Sequence, residues 1–215
     1  MLVLGIDEAG RGPVIGPMIL CGLLVRSEDL NKLVELGVKD SKMLSPERRV
    51  ELVPFIIEVS VRHRLAVVEP EEIDRYVLHG RLNFLEMERM IEIVEDLKPD
   101  VVYVDAPGRN PKKFGEILHK QTGVRVVAEN FADRRYPVVG AASILAKVKR
   151  DMIIKRYHRI YGDFGSGYVG DPKTMSFLRE YLRKNGRLPP IARRSWRTCI
   201  DLIEEERRKT LLDFM

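Results

Sequence analysis

Cysteine is scarce in this chain. Cys21 and Cys199 stand far apart, in no metal-like spacing. That excludes a disulfide framework and a thiolate metal site, so packing must hold the fold. Cys21 lies inside the apolar run Met18–Val25 and reads as a small buried hydrophobe. Histidine is also rare. His63, His79, His119 and His158 form no His-x-Glu or His-x₃-His arrangement, which argues against zinc catalysis and histidine acid–base chemistry. No Gly-x₄-Gly-Lys-[Ser/Thr] occurs, so a P-loop is excluded. The apolar runs fall far short of a membrane span. The start, Met-Leu-Val-Leu-Gly-Ile-Asp, has no basic leader and no cleavage site. These absences predict a cytoplasmic protein without membrane contact.

What is present is an ordinary globular composition with much charge. The chain has 215 residues, 45% hydrophobic and 32% charged, enough for one large domain or a domain with an appendage. The net charge of +5 hides an asymmetry. Residues 1–133 carry 18 Lys/Arg and 23 Asp/Glu; residues 134–215 carry 19 and 9. An acidic part beside a basic part suits a polyanion held next to a cation site.

Patterning predicts alternating strands and helices. Val3–Asp7 and Met18–Val25 read as strands joined through the turn Gly10–Pro17 in an antiparallel hairpin. Ser45-Pro46-Glu47 is a helix start. Ile56–Val61 and Leu65–Val68 are further strand candidates. Phe84, Met87, Ile91, Val94 and Leu97 recur at helical spacing, with Pro99 as a stop. Val101–Val104 and Val124–Ala128 read as strands. Lys112–Lys120, Ala141–Tyr157, Met175–Asn185 and Ile200–Lys209 read as helices, the second with a core stripe of Ile144, Leu145, Val148 and Met152. The expectation is an α/β fold, a mixed sheet flanked by helices with a small C-terminal helical appendage. Residues 1–160 would form the main domain, 161–209 the appendage and 210–215 a short apolar tail.

The chemistry should sit at strand ends. Asp7 and Glu8 close the first strand, Asp105 follows Val101–Val104, and Asp133 follows Val124–Ala128. Acids at the ends of separate strands can converge at one sheet edge. Such oxygen donors suit Mg²⁺ or Mn²⁺, and a pair of ions can activate water against a phosphodiester. Neighbouring strand residues face opposite ways, so Asp7 and Glu8 can share a site only where the strand ends. Gly10-Arg11-Gly12 lets backbone approach a ligand and offers Arg11 to phosphate. Ser143 and Lys147, four apart on a helix, could grip a backbone phosphate. Gly165-Ser166-Gly167-Tyr168 puts a tyrosine on a loop, where it could stack on a sugar or bond a 2′-OH.

Taken together, several stretches resemble one family. They are Gly5-Ile6-Asp7-Glu8-Ala9-Gly10-Arg11-Gly12-Pro13, Asp40-Ser41-Lys42, Asp105 after its strand, Ala141–Lys147, and Gly165-Ser166-Gly167-Tyr168 with Gly170-Asp171-Pro172. Their order and content resemble ribonuclease HII, and Arg194-Ser195-Trp196 resembles its archaeal branch. Val169 stands where the family loop usually has proline, and Gly140 where serine is frequent. The resemblance implies an RNase H-like fold and cleavage 5′ to a ribonucleotide, leaving 3′-OH and 5′-phosphate ends. It implies two divalent ions on Asp7, Glu8, Asp105 and Asp133. Junction recognition would fall to Gly10, Arg11, Gly12 and Tyr168, and phosphate contact to Lys42, Ser143 and Lys147. Substrates would be RNA/DNA hybrids and ribonucleotide-containing duplex DNA, and the expected state is a monomer. The tail Arg208–Met215 resembles a sliding-clamp-binding peptide, with Leu211 and Phe214 at the required spacing. Two other readings stay open at this stage: a non-catalytic hybrid binder, and a different RNase H-like nuclease or phosphotransferase.

Overall fold

The computed structural model describes residues 1–38 and 44–213, with side chains through residue 208. Lys42, with its neighbours Asp40 and Ser41, and Phe214 lie outside the described residues. Five strands form one sheet: β1 (Leu2–Ala9), β2 (Met18–Arg26), β3 (Arg62–Val68), β4 (Val101–Asp105) and β5 (Arg125–Glu129). Their order is β3-β2-β1-β4-β5. β1 runs antiparallel to β2 and parallel to β4, and β4 runs parallel to β5, so the sheet is mixed. The hairpin expected at the start is therefore present, with Leu2 opposite Arg26 and Ala9 opposite Ile19.

The helices are α1 (Leu30–Glu35), α2 (Pro46–Val59), α3 (Pro70–Val77), α4 (Leu82–Leu97) and α5 (Pro111–Thr122). They continue with α6 (Ala132–Arg135), α7 (Pro137–Tyr161), α8 (Pro172–Asn185) and α9 (Arg197–Asp213). None of the described helices is long and apolar enough to cross a membrane. Two glycines set how closely helices lie on the sheet. A Cβ at Gly5 would come within 2.4 Å of the backbone of Val138, in α7. A Cβ at Gly22 would come within 2.3 Å of Ile93, in α4. Gly22 is paired with Ile6, the neighbour of Gly5, so the two helices cover opposite faces. With both faces covered, β2 is buried from Met18 to Val25.

Three local expectations change. Ile56–Val59 is the last turn of α2, not a strand. Ser45 caps that helix by accepting from Arg48 N–H at 3.2 Å, and Leu52 and Ile56 bury one face at helical spacing. A capped helix with a buried stripe outweighs the strand preference of a β-branched run. In α4 the buried face is Leu85, Glu86, Met87, Met90, Ile93, Val94 and Leu97, while Phe84 is exposed. In α7 Ile144, Leu145 and Val148 are buried as expected, but Met152 is 62% exposed.

The chain divides into two compact units, interleaved in sequence. Unit 1 holds 1–9, 19–67 and 83–150, which includes the whole sheet but the last residue of β3 and the first of β2. Unit 2 holds 10–18, 68–82 and 151–215. Its core includes Val14, Ile15, Phe164, Leu178, Leu188 and Ile191. The division falls inside α7, between Arg150 and Asp151. That explains Met152: past the boundary the buried position is Ile154, in the unit 2 core.

A carboxylate cluster and a pinned glycine loop

Unit 1 brings three of the four expected acids together. Ile6 and Val104 are paired in the parallel ladder, so Asp7 and Asp105 follow on adjacent strands. Asp133 arrives from α6. Phe131 N–H donates to Asp105 Oδ1 at 2.9 Å and ties the start of that helix to the end of β4. One carboxylate oxygen from each of Asp7, Asp105 and Asp133 lies within 4.8 Å of the others. Glu8 is not in this group. Glu8 follows Asp7 directly in β1, which continues through Ala9. The two remain linked by Glu8 N–H donating to Asp7 Oδ1 at 2.7 Å.

Burial makes this cluster electrostatically costly. Asp7 is 4% exposed and Asp133 fully buried. Burial, helped by the charge of Asp105, pushes the Asp7 carboxyl up to about 7. The Lys147 ammonium and a hydrogen bond from Ser143 pull in the other direction. Ser143 and Lys147 both sit on α7, and Lys147 Nζ donates to Ser143 Oγ. Ser143 is fully buried against Asp7. The reason is geometric: Asp7 lies two residues beyond Gly5 on the face that α7 covers. Across the ladder from Asp7 lies Cys21, whose thiol is pushed up by burial and by the Asp7 charge. It stays protonated and offers no thiolate. The donor set is all carboxylate oxygen, crowded, with Asp7 and Asp133 buried and Asp105 half-buried, which fits a hard divalent cation.

Two features of this site escape pattern reading. Asn130 Nδ2 donates to Ala106 O at 2.8 Å and Gly108 O at 3.0 Å, joining the segments that carry Asp105 and Asp133. Phe131 holds φ at 60°, a left-handed conformation rare outside glycine, one step from the helix that presents Asp133. An asparagine just after a strand was the available clue for the first. The close fit at Gly140 is a third constraint. A Cβ there would lie 2.7 Å from Val38 O and 2.9 Å from Asp133 O.

Unit 2 holds the remaining described candidates, Gly10, Arg11, Gly12 and Tyr168. Gly12 and Tyr168 are exposed, and Arg11 is half-buried. Val14 and Ile15 N–H both donate to Gly167 O, at 2.8 and 3.1 Å. The loop after β1 and the tyrosine loop are thus held together at the residue next to Tyr168. Buried Thr174 accepts from Gly167 N–H at 3.0 Å and donates to Phe164 O at 2.9 Å. Asp171 accepts from Ser166 N–H at 2.7 Å and caps α8 through Lys173 N–H at 3.0 Å. These bonds fix the loop although Val169 stands in place of a proline.

The comparisons agree with this geometry. Residues 4–199 match the family model described as Ribonuclease HII. Ribonuclease HII of Thermococcus sibiricus is 42% identical, over 98% of this chain and 97% of that protein. The crystal structure of ribonuclease H2 from Pyrococcus horikoshii superposes with a TM-score of 0.92 at 40% identity, covering 97% of this chain and all of that one. The RNase HII of Archaeoglobus fulgidus, solved in complex with PCNA, gives a TM-score of 0.85 at 43% identity over 92% and 96% of the two chains. With a closely superposing fold, a convergent acid set and similarity along nearly its whole length, the chain belongs to the ribonuclease HII family of metal-dependent endonucleases, which cleave the RNA of RNA/DNA hybrids.

Proposed function

We propose that this chain hydrolyses the RNA strand of RNA/DNA hybrids and also cuts on the 5′ side of ribonucleotides embedded in duplex DNA. The products are 3′-OH and 5′-phosphate ends, from a two-metal-ion phosphodiester hydrolysis. The observation that carries this reading is the convergence of Asp7, Asp105 and Asp133 from three separate elements to within 4.8 Å. These three residues, with Glu8, would hold Mg²⁺ or Mn²⁺. Bound there, the ions supply an activated water and neutralise charge at the scissile phosphate.

The chain's own residues do the rest. Ser143 and Lys147 hold Asp7 in place, which favours a positioning role for them over direct contact with phosphate. Lys42 is kept as a phosphate contact. Gly10, Arg11, Gly12 and Tyr168 read the ribonucleotide–deoxynucleotide junction; the exposed ring and hydroxyl of Tyr168 suit a sugar and its 2′-OH. The basic surplus of residues 134–215 supplies attraction to the nucleic-acid backbone. In this reading residues 1–160 carry the chemistry, 161–209 carry the reading loop, and 210–215 bind a sliding clamp through Leu211 and Phe214. α9 extends to Asp213, so the backbone at Leu211 is helical. The buried free cysteines suit a cytoplasmic setting.

The test is an end-labelled RNA/DNA hybrid set against all-RNA and all-DNA duplexes of the same sequence. Cutting of the RNA strand of the hybrid in Mg²⁺ or Mn²⁺, abolished by EDTA, is the expected result. Equal cutting of all three duplexes, or cutting that persists in EDTA, would count against it. The tail is tested by a clamp pull-down with and without residues 208–215, and equal recovery removes that part of the proposal.

A further inference from the structure

Arg193 is a fully buried cation in unit 2. Each of its guanidinium nitrogens goes to a different backbone carbonyl. Nε donates to Gly16 O at 2.9 Å, Nη1 to Arg11 O at 2.8 Å, and Nη2 to Gly10 O. The guanidinium carbon lies 4.9 Å from the ring centroid of Trp196. Trp196 Nε1 donates to Gly12 O at 3.2 Å. The carbonyls of Gly10, Arg11 and Gly12, three in succession, therefore turn toward one Arg–Trp pair. The turn carrying that pair is itself fixed. Asp74 accepts from the backbone N–H groups of Arg194 and Ser195, each at 2.9 Å.

This arrangement has a consequence for the other side of the loop. Successive carbonyls of a strand alternate in direction, so three on one side need a special backbone, and Gly10 supplies it with φ at 81°. No peptide bond in the described residues is cis. In a trans peptide the C=O of one residue and the N–H of the next point in opposite directions. With the carbonyls of Gly10 and Arg11 drawn to Arg193, the N–H groups of Arg11 and Gly12 aim away from it. Two neighbouring N–H groups on one side form a concave donor pair suited to a sugar or phosphate oxygen.

We propose that Arg193 and Trp196 are positioning residues that hold Gly10-Arg11-Gly12 in this donor-outward form and so set the selectivity for a ribonucleotide. The proposal rests on the reading of that loop as the junction reader. It requires the forked geometry of arginine, not only its charge. Lysine keeps the charge but cannot reach three carbonyls from three fixed directions.

The experiment compares wild type, Arg193→Lys and Trp196→Phe. Fluorescence anisotropy in Ca²⁺ gives Kd for a DNA duplex with one ribonucleotide and for the all-DNA duplex of the same sequence. The ratio of the two is the readout, since general damage weakens both alike. Mn²⁺ affinity and thermal melting report folding. Wild type should prefer the ribonucleotide duplex. Trp196→Phe keeps the aromatic face and loses one donor, so its ratio should fall about fivefold. Arg193→Lys should fall further, to near one, with Mn²⁺ affinity retained. If either folded variant keeps the wild-type ratio, the proposal is overturned; should Arg193→Lys fail to fold, Trp196→Phe decides alone. A wild-type ratio of one would instead remove the parent reading of the loop.

Discussion

At the scale of single residues, Asp7 carries the greatest weight in the site. It is the most constrained acid of the cluster: buried, beside Asp105, bonded by Ser143 and facing the Lys147 charge. Asp7→Asn keeps the shape and removes the ligand charge. Cleavage of an RNA/DNA hybrid should drop more than roughly a hundredfold, beyond the usual loss from a group that only supports a metal ligand. Binding should persist within a few-fold, because the basic surface is untouched. Single-turnover cleavage and anisotropy on the same preparation check both. Cleavage within tenfold of wild type would take Asp7 out of the chemistry. The acids could be read from sequence because each stands at the end of an apolar strand run or a few residues after one, a placement that burial alone makes costly. Which three of the four acids group within 4.8 Å could not, since that depends on how β4 and α6 bring Asp105 and Asp133 to Asp7.

At the scale of elements, sequence pattern located the strands that carry acids better than the helices that cover them. β1, β2, β4 and β5 fall where their apolar runs place them. α3 passed unnoticed, being short and rich in acids, with Ile73 its one large buried side chain. In α4 several apolar residues recur at spacings of three and four, so two stripes fit the sequence equally. The choice between them is made by the partner surface, where Ile93 and Leu97 meet the open position at Gly22. Arg193 shows the same limit. The neighbouring Arg194-Ser195-Trp196 stands out in sequence but Arg193 does not, because its bonds to Gly10, Arg11 and Gly16 span most of the chain. The approach of α7 to the site yields a prediction of its own. Gly140→Ser puts an atom against Val38 O and Asp133 O. It should destabilise the protein by about 1–3 kcal/mol in urea unfolding and lower activity through the displaced Asp133 segment. Unchanged stability would mean that the backbone there yields freely.

At the scale of the whole molecule, the acid cluster couples stability to pH and to divalent cations. The Asp7 carboxyl is raised from 3.8 to about 7 by folding. Between those values the folded state holds a proton that the unfolded chain has released. The metal-free protein should therefore lose stability as pH rises through that window, with the loss complete above about 7. A divalent cation competes with the proton and relieves the repulsion between the carboxylates. The rise in Tm on adding Mn²⁺ should thus be larger at pH 8 than at pH 5.5. An equal rise at both, read by calorimetry, would show that Asp7 is not part of the cation site.

The most direct test of the central claim uses an end-labelled DNA duplex with one internal ribonucleotide, beside its all-DNA counterpart, in Mg²⁺ and in EDTA. A single metal-dependent cut immediately 5′ to the ribonucleotide, ending in a 3′-OH, with the all-DNA duplex intact, is the predicted result. Tight binding without cutting in either Mg²⁺ or Mn²⁺, or equal cutting of both duplexes, would contradict it.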